Sequence, residues 1–447
     1  MSLKKRILNI LFWSIISAAF IGPGTITTAS KAGAEFGFSL LWALVFSTFA
    51  CIILQEASAR IAISTGKNLG EAISIRYKGR SKRWIILLLI ISAIIIGSAA
   101  YETGNLVGAV AGITLIIDIK PYWLVLIMGL MAAIALSLPS LRIIARLMGY
   151  LVVLMGTVFL VTAIMIKPDA GEIVKGAMVP NIPEGSGTGL LILGLIGTTV
   201  VPYNLFLGSG IADKNQRISE MRLGLGIAII LGGVISGAVL VVGTAVQGDY
   251  SYQSLAAALT DGIGDWTIYL FGFGMFAAGF SSAVTAPLAS AITAKSLFGT
   301  AKNAKWDIGS LNFRLVWIFV LLTGIFFGVI NIKPIPVIIF AQAMNGFVLP
   351  FIAVFIVIVV NDPELMGSSK INGWISNILM GFVVWVTMVL GGMNIFKSVQ
   401  IVTQWNFITH SYSAWILIFI TFLFTLGLFY YILNRRRKKV KSRIVKV

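Results

Sequence analysis

The stretch "FIGPGTITTASKAG", residues 20–33, decides the fold because it interrupts an apolar run that begins near Ile7. A Gly-Pro-Gly triplet at 22–24 stands inside a segment that is otherwise long enough to cross a bilayer. Proline removes a helix hydrogen bond, and unpaired backbone groups are costly in lipid. The sequence therefore predicts a helix broken within the membrane. Hydroxyl side chains follow the break, at Thr25, Thr27 and Thr28.

The rest of the chain is also apolar, since 58% of its 447 residues are hydrophobic and only 11% are charged. Runs of about 20 apolar residues recur along its length, which is typical of a polytopic helical membrane protein. About twelve spans are predicted, near 9–31, 39–60, 84–114, 122–140, 147–166, 187–211, 225–247, 266–294, 313–330, 334–360, 374–392 and 413–433.

The net charge of +18 does not indicate a nucleic-acid partner, because the basic residues are sorted by loop. Few of the 34 lysines and arginines lie opposite the predicted N-terminal side: Lys31, Lys120, Lys167, Lys175, Lys333 and Lys397. This bias predicts that both termini are cytoplasmic and that the chain lies in the inner (plasma) membrane. The lipid bilayer is the expected partner, and no obligatory protein partner is predicted.

A second interruption, "TTVVPYN" at 198–204, lies in the sixth span. Each interrupted span opens a block of five spans, at 9–166 and 187–360. Because five is odd, the second block starts from the opposite side of the membrane. Broken helices at matching positions of inverted repeats indicate a transporter binding site near the bilayer midplane.

The whole chain, 1–447, is predicted to form one transmembrane transporter domain. Two extra helices at 374–433 and a basic cytoplasmic tail at 434–447 follow the repeats. No combination of nucleophile, general base and metal cluster can be assembled, so no enzyme is predicted. The single cysteine, Cys51, excludes a disulfide framework.

Several stretches resemble the Nramp family of divalent-metal transporters. The resemblance covers spans 1 to 11 in order, in "GPGTITTASKAGAEFGFSLLW", "LQEASARIAISTGKNLGE", "GTTVVPYNLFLGS", "FSSAVTAPLAS" and "AQAMNGFVLPF". It implies an all-α LeuT-type fold with a 5+5 inverted repeat and two broken helices. It also implies secondary transport by alternating access.

The resemblance implies where a substrate would bind, and the chain departs from the family there. The family's metal-binding Asp falls on Gly22, its Asn on Thr25, its ligating Met on Val201 and its span 6 His on Tyr203. With their neighbours these positions make up the predicted substrate site: Gly22, Gly24, Thr25, Thr27, Thr28, Thr198, Val201, Tyr203, Asn204 and Gln342.

These departures bear on the cargo. Transition metals need carboxylate, imidazole or thioether ligands, which Gly22 and Val201 lack, so no metal ligands are predicted. Free N–H groups at the start of the helix after Gly24, with the Thr25 and Thr198 hydroxyls, favour an anion. The preferred hypothesis is a small inorganic anion such as bicarbonate, which the resemblance to a clade lacking the Asp also implies. The alternatives are a divalent cation (Mn²⁺, Fe²⁺ or Mg²⁺) and a channel or non-transporting binding sensor.

A coupling ion, Na⁺ or H⁺, is expected, and no other cofactor. Moving an anion inward costs about 2.3 kcal/mol per charge per 100 mV. In LeuT-type folds sodium often lies between span 1 carbonyls and span 8 hydroxyls, which implies the set Phe20, Ile21, Ser281, Ser282 and Thr285. A proton route would use Glu102, an acid within a span, although Asn105 and Tyr203 replace the family's route residues.

Three further charged residues have predicted roles. Lys31 either attracts anions at the outer mouth or extends to the membrane interface. Glu56 and Arg60 lie four residues apart and are predicted to pair with each other.

Overall fold

The computed structural model describes residues 3–79, 83–138, 141–184, 187–299, 304–330, 332–367, 370–403 and 411–444. Within these ranges every regular element is helical, as predicted, and no strand occurs. The helices are α1 Leu3–Phe20, α2 Pro23–Phe36, α3 Leu41–Thr65, α4 Leu69–Arg76, α5 Arg83–Ile113, α6 Pro121–Leu136, α7 Leu141–Met165, α8 Ala170–Met178, α9 Thr188–Thr199, α10 Pro202–Ile211, α11 Ile218–Gly243, α12 Tyr252–Ile263, α13 Trp266–Phe298, a 3₁₀ turn Ala304–Trp306, α14 Leu311–Val329, α15 Pro334–Val360, α16 Pro363–Met366, α17 Trp374–Thr403 and α18 Ser411–Ile444.

Among the described residues, nine helical spans are long and apolar enough to cross a membrane, or ten with the bent pair of α1 and α2. Two shorter apolar helices, Pro121–Leu136 and Gly156–Met165, lie at the fourth and fifth predicted spans. The sequence predicts about twelve spans, and the described residues contain ten long apolar spans, with the bent pair counted as one, and two shorter apolar helices.

The first predicted break is present and sharp. The α1 helix ends at Phe20, α2 begins at Pro23, and their axes differ by 65°. Pro23 occupies the first turn of α2, where a missing backbone N–H costs nothing. Gly22 is the extended N-cap residue and provides no side-chain cap.

The second predicted break is milder. The α9 helix ends at Thr199, Val200 and Val201 interrupt the helical path, and α10 begins at Pro202. The two segments have no bend comparable to that of the first break and together form one span, Thr188–Ile211. Because Pro202 again supplies the first helical residue, both breaks use the same local rule with different bends.

The helices around the breaks pack closely. The α13 helix packs most extensively against α5, while α15 lies against α9 and α11 lies against both α1 and α2. Gly197 of α9 faces the backbone carbonyl of Gln342 on α15, where a Cβ would collide with backbone atoms. This close approach brings Gln342 beside the first break, since it also faces Gly24.

Charged contacts join the elements on the predicted cytoplasmic side. The guanidinium of Arg76 on α4 lies 2.8 Å from the Asp362 carboxylate, and both side chains are buried. Arg435, near the end of α18, lies 3.5 Å from the same carboxylate. Arg436 donates to the side chain of Asn361. The predicted tail at 434–447 thus continues α18 as far as 444, and 445–447 lie outside the described residues.

The predicted pair of Glu56 and Arg60 is confirmed, with 3.0 Å between the Arg60 Nε and the Glu56 carboxylate. Arg222 of α11 lies 2.9 Å from the same carboxylate. Glu56 therefore links α3 to α11, which the sequence did not predict.

Candidate functional site

Side chains from other segments satisfy the last carbonyl groups of α1. The donors and their acceptors are Asn204 to Ile16 (3.0 Å), Ser282 to Ala18 (3.3 Å), Tyr203 to Ala19 (3.1 Å), and Thr25 and Tyr101 to Phe20 (2.5 and 3.4 Å). A helix end leaves such carbonyls without intrahelical partners. Hydroxyl and amide donors therefore take the place of the missing helical partners at these four carbonyls.

A pair of hydroxyls joins the two broken spans. The Oγ1 atoms of Thr25 and Thr198 lie 2.7 Å apart, and both side chains are fully buried. The Tyr101 hydroxyl is within hydrogen-bonding reach of the Thr198, Tyr203 and Gln342 side chains. The rings of Tyr101 and Tyr203 meet edge to face, with centroids 5.5 Å apart. The break is thus enclosed by neutral side chains that can either donate or accept.

The two glycines of the triplet leave little room for side chains. A Cβ at Gly22 would overlap the Ser282 hydroxyl and lie 3.3 Å from the Asn105 Oδ1. A Cβ at Gly24 would overlap the Gln342 amide nitrogen. Any side chain at position 22 would therefore meet Ser282 and Asn105.

Five buried polar atoms on candidate-site residues have no hydrogen-bond partner within the described part of the chain. They are Thr28 Oγ1, Glu102 Oε1, Asn105 Oδ1, Asn204 Oδ1 and Gln342 Oε1. Buried polar groups in native proteins are nearly always paired, so each unpaired atom calls for an explanation. A polar solute or water bound beside these atoms would supply the missing partner.

Most of the predicted substrate residues meet at the first break, namely Gly22, Gly24, Thr25, Thr198, Tyr203, Asn204 and Gln342. The other three lie apart from this group. Thr27 is fully buried and its hydroxyl bonds that of Tyr252. The Thr28 methyl group faces Gly194 of α9, and Val201 is a buried N-cap without a polar group.

The implied sodium set is only partly assembled. Ser282 reaches the Ala18 carbonyl of α1, at 3.3 Å. Ser281 donates to Ala278 and Thr285 to Ser281, so these hydroxyls satisfy the backbone of their own helix. Ile21, the first residue after α1, donates its N–H to the Ser17 carbonyl at 2.8 Å, and the Phe20 carbonyl accepts from Thr25 and Tyr101.

The acid in span 3 has a partner of its own. Glu102 is completely buried, and Asn105 donates to one of its oxygens at 3.3 Å. Its methylene group faces Gly324 of α14 rather than the glycines of the break. Among the described residues, no group of three or more His, Cys, Asp or Glu side chains is placed to hold a metal ion.

Two tyrosines hold α2, the second half of the broken span. The Tyr252 hydroxyl lies 2.5 Å from Thr27 Oγ1, and the Tyr250 hydroxyl lies 2.6 Å from Ser30 Oγ. Burial raises the pKa of both phenols above the usual range, with the neighbouring tyrosine and an acid adding to this at Tyr250. Lys31 pairs with Glu35 and lies 5.7 Å above the Tyr250 ring. Its positive charge is therefore already partnered.

Sequence reasoning missed Tyr101, which contacts more of the break than any predicted residue of span 3. It also missed Tyr252. The first could have been found as a polar side chain within a long apolar helix. The second lies in a segment between spans, where nothing in the local sequence indicates a contact with α2.

Residues 14–397 match the family described as natural resistance-associated macrophage protein-like. This chain belongs to the Nramp family. One curated relative is the divalent metal cation transporter MntH of Yersinia pestis, which is 27% identical over 305 residues. That match covers 65% of this chain and 73% of the relative.

Solved structures with the same architecture include the manganese transporter of Eremococcus coleocola. It superposes with a TM-score of 0.72 at 19% identity, covering 97% of this chain and 96% of that one. The nucleobase-cation-symport-1 family transporter Mhp1, in a closed conformation, gives a TM-score of 0.56 at 14% identity, covering 95% and 92%. These structures confirm the predicted LeuT-type fold of this Nramp-family transporter.

Proposed function

We propose that this Nramp-family membrane transporter carries a small inorganic anion of the bicarbonate class by alternating access. The single observation behind this choice is the donor set at the first break. Ser282 and Asn105 face Gly22, and the Thr25 and Thr198 hydroxyls meet across the break, so the groups that line it are hydroxyls and amides. The buried Glu102 carboxylate is bonded to Asn105, and among the described residues no group of three or more His, Cys, Asp or Glu side chains could hold a metal ion. A bare divalent ion taken from water would meet only neutral ligands there, and burial of an uncompensated charge costs many kcal/mol.

The residues at the break supply what an anion needs. The N–H groups of Gly24 and Thr25 lack intrahelical acceptors and lie at the positive end of the α2 dipole, since Pro23 has no N–H and the Ile26 N–H already bonds the Gly22 carbonyl. The Thr25 hydroxyl, which now contacts Phe20, would turn toward the bound anion. Thr198 and Gln342 would donate from the facing helices. Bicarbonate presents acceptor oxygens and one donor, so hydroxyl groups can satisfy both kinds of atom.

We also propose a coupling cation, for which the structure offers two candidate sites, one for Na⁺ and one for H⁺. Ser282 Oγ, the Ala18 carbonyl and the unpaired Asn105 Oδ1 form an oxygen-rich corner that suits Na⁺. Glu102, buried with one unpaired oxygen, suits H⁺. Either ion would offset the cost of carrying an anion against the membrane potential.

The second candidate cargo is a divalent metal cation, and the named relatives favour it. The curated relative is a divalent metal cation transporter, and the structural neighbour is a manganese transporter. These names fit the metal alternative better than the anion hypothesis, and none of them supports bicarbonate. Metal transport here would require backbone carbonyls that are now bonded to Asn204, Ser282 and Tyr203 to be released.

Uptake into proteoliposomes separates the candidates. Labelled bicarbonate and labelled Mn²⁺ would be offered in parallel, under an imposed Na⁺ gradient, an imposed proton gradient or neither, with protein-free liposomes as the control for passive CO₂ entry. We expect saturable bicarbonate uptake that one of the gradients accelerates, and no Mn²⁺ uptake above the control.

Other outcomes reject the proposal. Saturable Mn²⁺ uptake without bicarbonate uptake would assign the metal alternative. Bicarbonate flux that no gradient accelerates would indicate a channel instead of a coupled transporter. Calorimetry with Mn²⁺ gives an independent check, because the anion hypothesis predicts no heat of binding.

A further inference from the structure

A basic cavity lies on the predicted cytoplasmic side, away from both breaks. Its volume is about 460 Å³. It lies among the end of α3, the helix α4, the start of α5, the loop after α10 and the end of α13. Four basic residues line it, Lys67, Lys78, Arg83 and Lys214, against a single acid, Glu71.

The positive charge in this cavity is not neutralised from within. Glu71 is engaged at the start of α4, where its carboxylate accepts the N–H of Asn68 at 3.0 Å and completes a capping box. Within the described residues none of the four basic side chains forms an ion pair. Like charges that converge on a concave surface focus the field and attract anions.

The cavity also offers donors suited to phosphate. The Arg83 guanidinium donates to the Ser74 hydroxyl at 3.0 Å, while its buried Nε has no hydrogen-bond partner among the described residues. The Thr65 hydroxyl bonds the backbone of Ile61 and Lys67, which fixes the turn that presents Lys67. Arginine and lysine side chains with neighbouring hydroxyls are the usual ligands of phosphate groups.

We infer that this cavity, defined by Lys67, Lys78, Arg83 and Lys214, binds a phosphate-bearing group. Two sources share this chemistry, the headgroup of an anionic membrane lipid and a soluble phosphate compound. Basic pockets between membrane helices on the cytoplasmic side commonly hold lipid headgroups. Such binding is independent of the cargo carried at the first break.

A ligand in this cavity would contact elements that pack against the second broken span. The Leu69 N–H of α4 bonds the Ser209 hydroxyl of α10 at 3.0 Å, and Gly70 packs against Ser296 of α13. A ligand that bridges Lys67 and Lys214 would tie α4 to the loop that follows α10. It would therefore hold together elements next to the inner half of the second broken span.

The test uses the full chain in phosphatidylcholine nanodiscs. In one arm inorganic pyrophosphate is titrated by calorimetry, and in the other arm native mass spectrometry counts phosphatidylglycerol retained from mixed nanodiscs. The test variant is Lys67→Gln, Lys78→Gln and Lys214→Gln combined. The matched control removes three exposed charges from the same side but outside the cavity, as Arg217→Gln, Arg314→Gln and Lys370→Gln.

We expect the cavity variant to bind at least about tenfold more weakly than the wild-type protein, while the control keeps wild-type binding. Retention of lipid alone would identify a headgroup site, and pyrophosphate binding alone would identify a soluble ligand. An equal loss in both triple variants would mean a general charge effect and would overturn the inference. So would the absence of binding in both arms.

Discussion

The two broken spans start from the same local chemistry and end in different roles. The first bends by 65° at Gly22, which frees the last carbonyl groups of α1 and the first N–H groups of α2 from helical hydrogen bonds. The second lacks such a bend and places Val200 and Val201 at its interruption. The first break thus contributes backbone groups to the site, whereas the second span contributes the side chains of Thr198, Tyr203 and Asn204.

This difference shows that equivalent positions in two repeats need not carry equivalent chemistry. A break with a large bend frees backbone N–H and C=O groups from the helix. These groups must find other partners, because lipid offers no hydrogen bonds and an unpaired backbone group is costly there. The straighter span supplies those partners. Cargo specificity should therefore respond most strongly to changes on the α2 side of the first break.

The largest expected effect comes from a negative charge on that side. Thr25→Asp should abolish bicarbonate uptake, because a carboxylate at this fully buried position repels an anion. Thr25→Asn introduces a side chain of the same shape as Asp but without its charge, and it should retain measurable uptake in the same proteoliposome assay. If Thr25→Asp transported bicarbonate as fast as Thr25→Asn, the anion would not bind at the first break.

A smaller effect should separate two adjacent threonines of α9. Thr198 shares its hydroxyl with Thr25 across the break, whereas the Thr199 hydroxyl bonds the Leu195 carbonyl of its own helix at 3.2 Å. A hydrogen bond to a charged group contributes about 1.5–3 kcal/mol, so Thr198→Val should lower the uptake rate about tenfold or more. Thr199→Val, equally buried, should stay close to wild type. Matching losses would indicate packing damage in place of a lost donor.

The smallest effect concerns the contact of α2 with Tyr252. Because burial raises the folded-state pKa of Tyr252, the stabilisation from its neutral hydroxyl is complete below about pH 10, the unfolded value. It is lost as the pH rises above that value. The unfolding temperature of the purified protein should therefore fall above pH 10.

Variants at two tyrosines isolate this contribution. Tyr252→Phe should be less stable at pH 8 by about 0.5–1.5 kcal/mol, the value of one hydrogen bond, and should show a shallower decline above pH 10. Tyr269→Phe removes an exposed phenol and serves as the control. An unchanged decline in Tyr252→Phe would mean that its contact with Thr27 does not control the alkaline loss of stability.

Much of the architecture could be predicted because apolar runs and proline-glycine interruptions act locally. The interruptions predicted at 22–24 and within 198–204 follow directly from such signals, as does the pairing of Glu56 with Arg60. The boundaries of the two repeats, 9–166 and 187–360, stay predictions. So do the inner-membrane location and the cytoplasmic placement of both termini.

The candidate site was harder to predict because its contacts join distant segments. The assignment of Thr25 and Thr198 to one site depended on family resemblance, and their direct contact appears only when α2 and α9 are packed together. Ser281 and Thr285 look like ligands in the sequence, yet their hydroxyls bond their own helix. A Ser or Thr hydroxyl in a helix can donate to a carbonyl of the preceding turn instead of to a ligand, and composition alone does not show which bond it forms.

The end of α18 has a practical consequence for anyone who handles this protein. Asp362 receives Arg76 from one side and Arg435 from the other, and the next residue, Arg436, reaches Asn361. A shortened version that stops before position 435 would leave a buried carboxylate with one counter-ion fewer. Purification tags and reporter fusions should therefore be attached beyond the last residue through a spacer, and never in exchange for the terminal basic segment.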